Sequence, residues 1–104
     1  MEAKTRKLAQ ELKALIKDRF GEADVIVFGS RARGDFQPES DLDICVIVER
    51  LDRKTRDVIF DCAWEVGFKA GMVIVPVIFN RKEWKGVMAS APIVKTIAKE
   101  GVRL

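Results

Sequence analysis

Leu8, Leu12, Leu15 and Ile16 recur at helical spacing with Lys and Glu between them, which predicts an amphipathic helix over about residues 3–20, stopped by Gly21. The period then changes. Val25-Ile26-Val27-Phe28 is an unbroken run of β-prone apolar residues and predicts a buried strand ending at Gly29. A second strand is expected from Asp41 to Val48, ending near Glu49, and residues 31–40 between the two carry Gly34 and Pro38 and read as a loop with room for one helical turn after Ser30. Val58, Ile59, Cys62, Ala63 and Val66 mark a second amphipathic helix over about residues 53–69, closed by the segment from Gly67 to Gly71. The third strand, Met72 to Phe79, is continuously apolar, and Pro76 within it implies an edge position or a bulge. Asn80 and Glu83 form a capping-box pair that opens a helix with Trp84, Val87 and Met88 on one face. Pro92 starts a last helix carrying Ile93, Val94 and Ile97, which ends at Gly101.

This order of elements predicts an α/β (α+β) fold: a small mixed β-sheet flanked by helices, in one domain covering residues 1–104. A chain of 104 residues can bury a genuine core but leaves no room for a separate substrate domain. Trp64 and Trp84 are expected in that core or at its margin, and Lys4, Arg6, Lys7 and Lys13 on a solvated helix face.

The chemistry concentrates between Gly29 and Asp43. Gly29 has no Cβ, so the backbone can turn and a ligand can come close. Ser30 offers a hydroxyl and an N–H to a phosphate oxygen; Arg33 is the expected further phosphate contact, while Arg31 is divided between that role and a surface ion pair with Asp35 or Glu39. Side chains alternate along a strand, so Asp41 and Asp43 project to one face and Leu42 and Ile44 to the other. Two carboxylates about 7 Å apart repel by roughly 2–3 kcal/mol at an effective dielectric of about 20, before solvent relaxation. Such a pair suits Mg²⁺, which takes hard oxygen ligands and completes its shell with water and substrate phosphates.

Gly29, Ser30, Ala32, Arg33 and Gly34, followed by Ser40, Asp41 and Asp43, match the pattern G-S-x-A-R-G … S-D-x-D. In these residues the chain resembles the DNA polymerase β-like nucleotidyltransferase superfamily, and within it the minimal nucleotidyltransferases of the MntA-like antitoxin family. The resemblance implies the polymerase β-like nucleotidyltransferase fold. It also implies Mg²⁺-dependent transfer of a nucleoside monophosphate, with ATP as the expected donor, to a hydroxyl of a protein or small acceptor, with release of pyrophosphate. By position, Gly29, Ser30 and Arg33 would bind the nucleotide, and Asp41 and Asp43 would be the catalytic metal ligands, holding two ions if the site is catalytic. A small helical HEPN-type protein is the partner the resemblance implies, in a toxin–antitoxin pair.

The family also carries a third carboxylate on a later strand, and here that strand, Met72 to Phe79, has no acid. Asp61, Glu65 and Glu83 are the nearest acids in sequence, but all fall on predicted helices. The departure keeps open a noncatalytic nucleotide- or partner-binding module of the same fold. Composition narrows the rest. There is no histidine, so carboxylates and metal must carry any acid–base chemistry, and a net charge of +3 without a basic tract permits nucleic-acid contact without predicting it. No apolar run approaches the ~20 residues that cross a bilayer. Cys45 and Cys62 lack metal-ligand spacing and read as reduced, buried thiols of a cytoplasmic protein.

Overall fold

A computed structural model describes the whole chain, Met1–Leu104. The elements are α1 (Ala3–Arg19), β1 (Asp24–Phe28), α2 (Ser30–Arg33), β2 (Leu42–Val48), α3 (Arg53–Ala70), β3 (Ile74–Asn80), α4 (Arg81–Lys85), α5 (Pro92–Glu100) and β4 (Val102–Arg103). The four strands form one mixed sheet in the order β3-β2-β1-β4. β1 runs antiparallel to β2 and β4, and β2 runs parallel to β3 through the α3 crossover.

Strand alternation divides the apolar residues between two cores. Val25 and Val27 of β1, Leu42, Ile44, Val46 and Val48 of β2, and Ile74 and Ile78 of β3 face α1 and α3, where they meet Leu8, Leu12, Ile16, Ile59, Cys62 and Val66. The opposite face, with Ile26, Cys45, Ile47 and Phe79, is covered by Val94 and Ile97 of α5, and Trp84 and Met88 pack at its margin. Both cysteines are free and buried. Burial pushes the Cys45 thiol up to about 12, against the opposing pull of Arg103, so it is no thiolate at neutral pH.

The expected helix ends are in place. Asp52 caps α3 by accepting from the Thr55 N–H at 2.8 Å, and Asn80 and Glu83 complete the capping box of α4. Pro76 sits on an outer strand rather than at a bulge: β3 pairs residue for residue with β2 and ends the sheet. The Leu42 N–H donates to the Val73 carbonyl at 2.9 Å, and parallel alternation then turns the 74, 76 and 78 amides outward, so the missing N–H of Pro76 removes no ladder bond.

Two expectations change and one element is added. α4 ends at Lys85, because Gly86 leaves the helical region (φ −113°, ψ −107°), and Val87 therefore stands 83% exposed instead of sharing a helix face with Trp84. Trp64 is 67% exposed, not part of the core. The buried stripe of α3 is Thr55, Ile59, Cys62, Ala63 and Val66, and Trp64 lies beside it on a second stripe with Phe60 and Phe68, its ring stacked on Phe68 at 5.0 Å. Past Gly101 the chain adds the two-residue strand β4, which the hydrophobic pattern did not signal. No helix is long and apolar enough to cross a membrane.

Asp24 ties the far end of the sheet together. Its carboxylate accepts from Arg81 at 3.0 Å and pairs with Arg103 at 3.1 Å, while Arg81 also bonds Glu49. Burial alone would raise this carboxyl, but the hydrogen bond and charge of Arg81, and then Arg103, outweigh it and hold it below its usual range. A depressed carboxylate stabilises the fold above its unfolded pKa and loses that contribution as pH falls through the folded one. Asp24→Asn is therefore expected to cost about 0.5–1 kcal/mol at neutral pH in urea unfolding, with the difference from wild type vanishing in acid. Equal midpoints at neutral pH would show that the cluster contributes nothing to stability.

Candidate active site

On the α5 face of the sheet the register forms rows across the strands. Asp24, Ile47 and Phe79 make one, Ile26, Cys45 and Val77 the next, and Phe28, Asp43 and Val75 the third. The first two rows carry the residues under α5 and α4. The third is open: Phe28 and Asp43 are half-buried and Val75 is exposed. Asp41 precedes β2, exposed, close enough for its charge to act on Asp43.

Gly29 follows Phe28 directly, so the turn and the carboxylate are brought together by the register. Its backbone (φ 74°, ψ −158°) lies in a region essentially confined to glycine, and a Cβ there would collide with Asp43 Oδ2. The Gly29 carbonyl then accepts from the Ala32 and Arg33 amides, starting the single turn α2 with Ser30 at its head. Gly29, Ser30, Asp41 and Asp43 thus converge at one end of β1 and β2, as their spacing suggested.

The two arginines separate. Arg31 is buried and does not face the carboxylates: Nε donates to the Ser40 carbonyl at 3.0 Å, Nη2 donates to the Pro38 carbonyl at 3.2 Å, and the guanidinium lies over the Phe36 ring. It pins the loop before Asp41 rather than pairing on the surface with Asp35 or Glu39. Arg33 is exposed and faces the site; Nε donates to Asp35 at 3.1 Å and Nη1 donates to Glu100 at 3.0 Å. Its positive charge opposes the raised pKa of Asp43, whose causes are burial first and Asp41 second.

Glu100 escaped the sequence reading. It ends α5, and Oε1 accepts from both Arg33 and the Gly29 N–H, the latter at 3.3 Å. Nothing local marks it, since it lies 71 residues from Gly29. The acids considered from sequence go elsewhere: Glu65 pairs with Arg19, Glu83 closes the α4 capping box, and Asp61 is exposed on α3 across the sheet. No group of three or more acidic or thiol side chains gathers to hold a metal. The strand position beside Asp43 is filled by Val75. The available donors are two hard carboxylates on one rim, which fits a divalent cation completed by water and phosphate.

Residues 6–103 match the nucleotidyltransferase domain family. The chain belongs to that family. A relative from Methanocaldococcus jannaschii, whose assigned name is protein adenylyltransferase, is 30% identical over 77 residues, covering 73% of this chain and 76% of the relative. Among solved structures, a toxin–antitoxin with AMP-PNP superposes with a TM-score of 0.64 at 20% identity, over 91% of this chain and 70% of that one. A tri-AMPylated Shewanella oneidensis HEPN toxin in complex with its MNT antitoxin gives 0.58 at 17% identity, over 95% of this chain and 70% of the neighbour. These likenesses show the nucleotidyltransferase fold that the resemblance implied, built on the small mixed sheet that the element order predicted.

Gly29→Ala forces a Cβ into a backbone region that costs about 1–3 kcal/mol and against Asp43. Thermal unfolding should fall by several degrees; an unchanged midpoint would mean that the turn relaxes freely. Asp43→Asn acts in the other direction. A carboxyl whose folded pKa is raised penalises the fold when ionised, and the penalty fades as pH drops through that pKa. Without divalent metal, the Asn variant should gain up to about 1 kcal/mol at neutral pH after solvent screening, with the gain shrinking in acid. Destabilisation at neutral pH would contradict the repulsion.

Proposed function

We propose that this nucleotidyltransferase-domain protein moves AMP from ATP to a hydroxyl of a protein acceptor. The observation that carries the reading is the register pair of Phe28 with Asp43, which sets the Gly29-Ser30 turn against the carboxylate rim. In this reading Gly29, Ser30 and Arg33 bind the triphosphate, Asp41 and Asp43 are the catalytic metal ligands, and residues 1–104 form one nucleotidyltransferase domain. Bound Mg²⁺ supplies charge neutralisation for phosphoryl transfer. A second ion would need further ligands from the nucleotide or the acceptor, since Val75 offers none.

The acceptor oxygen bonds to the α-phosphorus, the bond from that phosphorus to the β-phosphate bridging oxygen breaks, pyrophosphate leaves and the hydroxyl proton passes to solvent. Ser30 and Arg33 orient the departing phosphates and stabilise their charge. The name given to the Methanocaldococcus jannaschii relative supports AMP and a protein acceptor. An apolar surface over Phe60, Trp64, Phe68 and Val73 that reaches Val75, the strand neighbour of Asp43, supports the protein acceptor. The toxin–antitoxin neighbours support a HEPN-type protein in that role. We place the reaction in the cytoplasm, consistent with free thiols at Cys45 and Cys62.

Val75 in place of an acid favours one further reading, a module that binds nucleotide or partner without turnover. Calorimetric titration of ATP with and without Mg²⁺, alongside the Asp41→Asn/Asp43→Asn double variant, tests the first. Mg²⁺-dependent binding should be lost in the variant, together with AMP transfer to the acceptor. Undiminished binding by the variant would remove these carboxylates from the site, and tight binding without transfer to any offered acceptor would select the noncatalytic module.

A further inference from the structure

The Gly29 N–H and the Arg33 guanidinium are two of the donors that a triphosphate would use, and both already converge on one anionic atom, Glu100 Oε1, at 3.3 and 3.0 Å. The contact is built rather than incidental. The Glu100 side chain is only 23% exposed, and Gly101 lets the end of α5 press against β1, where a Cβ would collide with the Ile97 carbonyl and Ile26 Cγ2. The second carboxylate on Arg33, Asp35, leaves Nη1 to Glu100.

We propose that Glu100 is a resident anion of the nucleotide site: its carboxylate holds the phosphate donors in the free protein, is displaced by the β- and γ-phosphates of the nucleotide, and returns as pyrophosphate leaves. The proposal rests on the nucleotide reading above and adds a residue that sets affinity and product release. A carboxylate and a phosphate oxygen compete for the same N–H groups, and their like charges repel, so occupancy requires a ligand with enough negative charge to replace Glu100. Adenosine and AMP, which bring no β- or γ-phosphate, do not meet it.

Glu100→Gln keeps an oxygen to accept from Gly29 and Arg33 and removes only the charge. Titration of Mg²⁺-ATP, pyrophosphate and AMP into wild type and this variant should show ATP and pyrophosphate binding about three- to ten-fold tighter in the variant, with AMP unchanged. Glu100→Ala, checked by thermal unfolding, should tighten both in the same direction. Weaker ATP binding in the two variants would make Glu100 a support for Arg33 and overturn the proposal, as would equal affinities or an equal gain for AMP. Absence of ATP binding by wild type and variants alike would remove the nucleotide reading and this proposal with it, whereas wild-type binding without a gain removes the proposal alone.

Discussion

The antiparallel register of β1 on β2 fixes almost everything else in the molecule. Pairing Phe28 with Asp43 puts Leu42, Ile44, Val46 and Val48 into the core under α1 and α3 and sends Asp43, Cys45 and Ile47 to the other face. Strand alternation has period two, so a slip of one residue would drive Asp43 into the larger core and bring Ile44 and Val46 to the opposite face. The hydrophobic effect thereby selects the geometry of the polar site. Burial of four aliphatic side chains on β2, each worth about 1.5–3 kcal/mol, holds one half-buried carboxylate where its neighbour repels it.

The second layer completes this division. α5 covers the rows that contain Ile47 and Cys45 and reaches Phe28 at the edge of the third, leaving Asp43 half-buried and Val75 exposed. Asp43 is thus near enough to apolar surface for burial to raise its pKa, yet open enough to receive a ligand. The same end of α5 delivers Glu100 to the turn, because Gly101 permits the close approach to Ile26. Packing of the smaller core and composition of the site are therefore linked through one backbone position.

The parts of the fold legible in the sequence were those whose signal is local: apolar periodicity in α1 and α3, β-prone runs in β1 to β3, the Asn80–Glu83 capping box and the Gly29 to Asp43 pattern. Boundaries moved by a residue or two. Arg31 was ambiguous because its hydrogen bonds go to the backbone carbonyls of Pro38 and Ser40, which carry no side-chain signal, and its ion-pair partner Glu2 lies far back in the chain. Trp64 was misplaced because residue type favours burial, whereas the buried stripe of α3 was already filled by Ile59, Cys62, Ala63 and Val66. β4 and Glu100 were invisible for a different reason: both depend on the chain end returning to β1, a contact between residues more than seventy positions apart.

Val75 gives the open row its character. With a carboxylate there, three like charges would share one rim and their mutual repulsion would rise; with valine, Asp43 has an apolar neighbour one strand spacing away, about 4.8 Å. That neighbour withholds solvent from one side of Asp43 and would strengthen the attraction of a cation bound there, but it can neither ligate an ion nor take a proton. On the proposed reading, the chain therefore provides binding and charge at the phosphates while the acceptor side must complete the site. An apolar surface that runs from Val75 around the β3 edge to Trp64 and Phe68 is then no anomaly in a small acidic-rimmed enzyme, because a protein acceptor needs such a surface to bring its hydroxyl to a rim that lacks its own third acid.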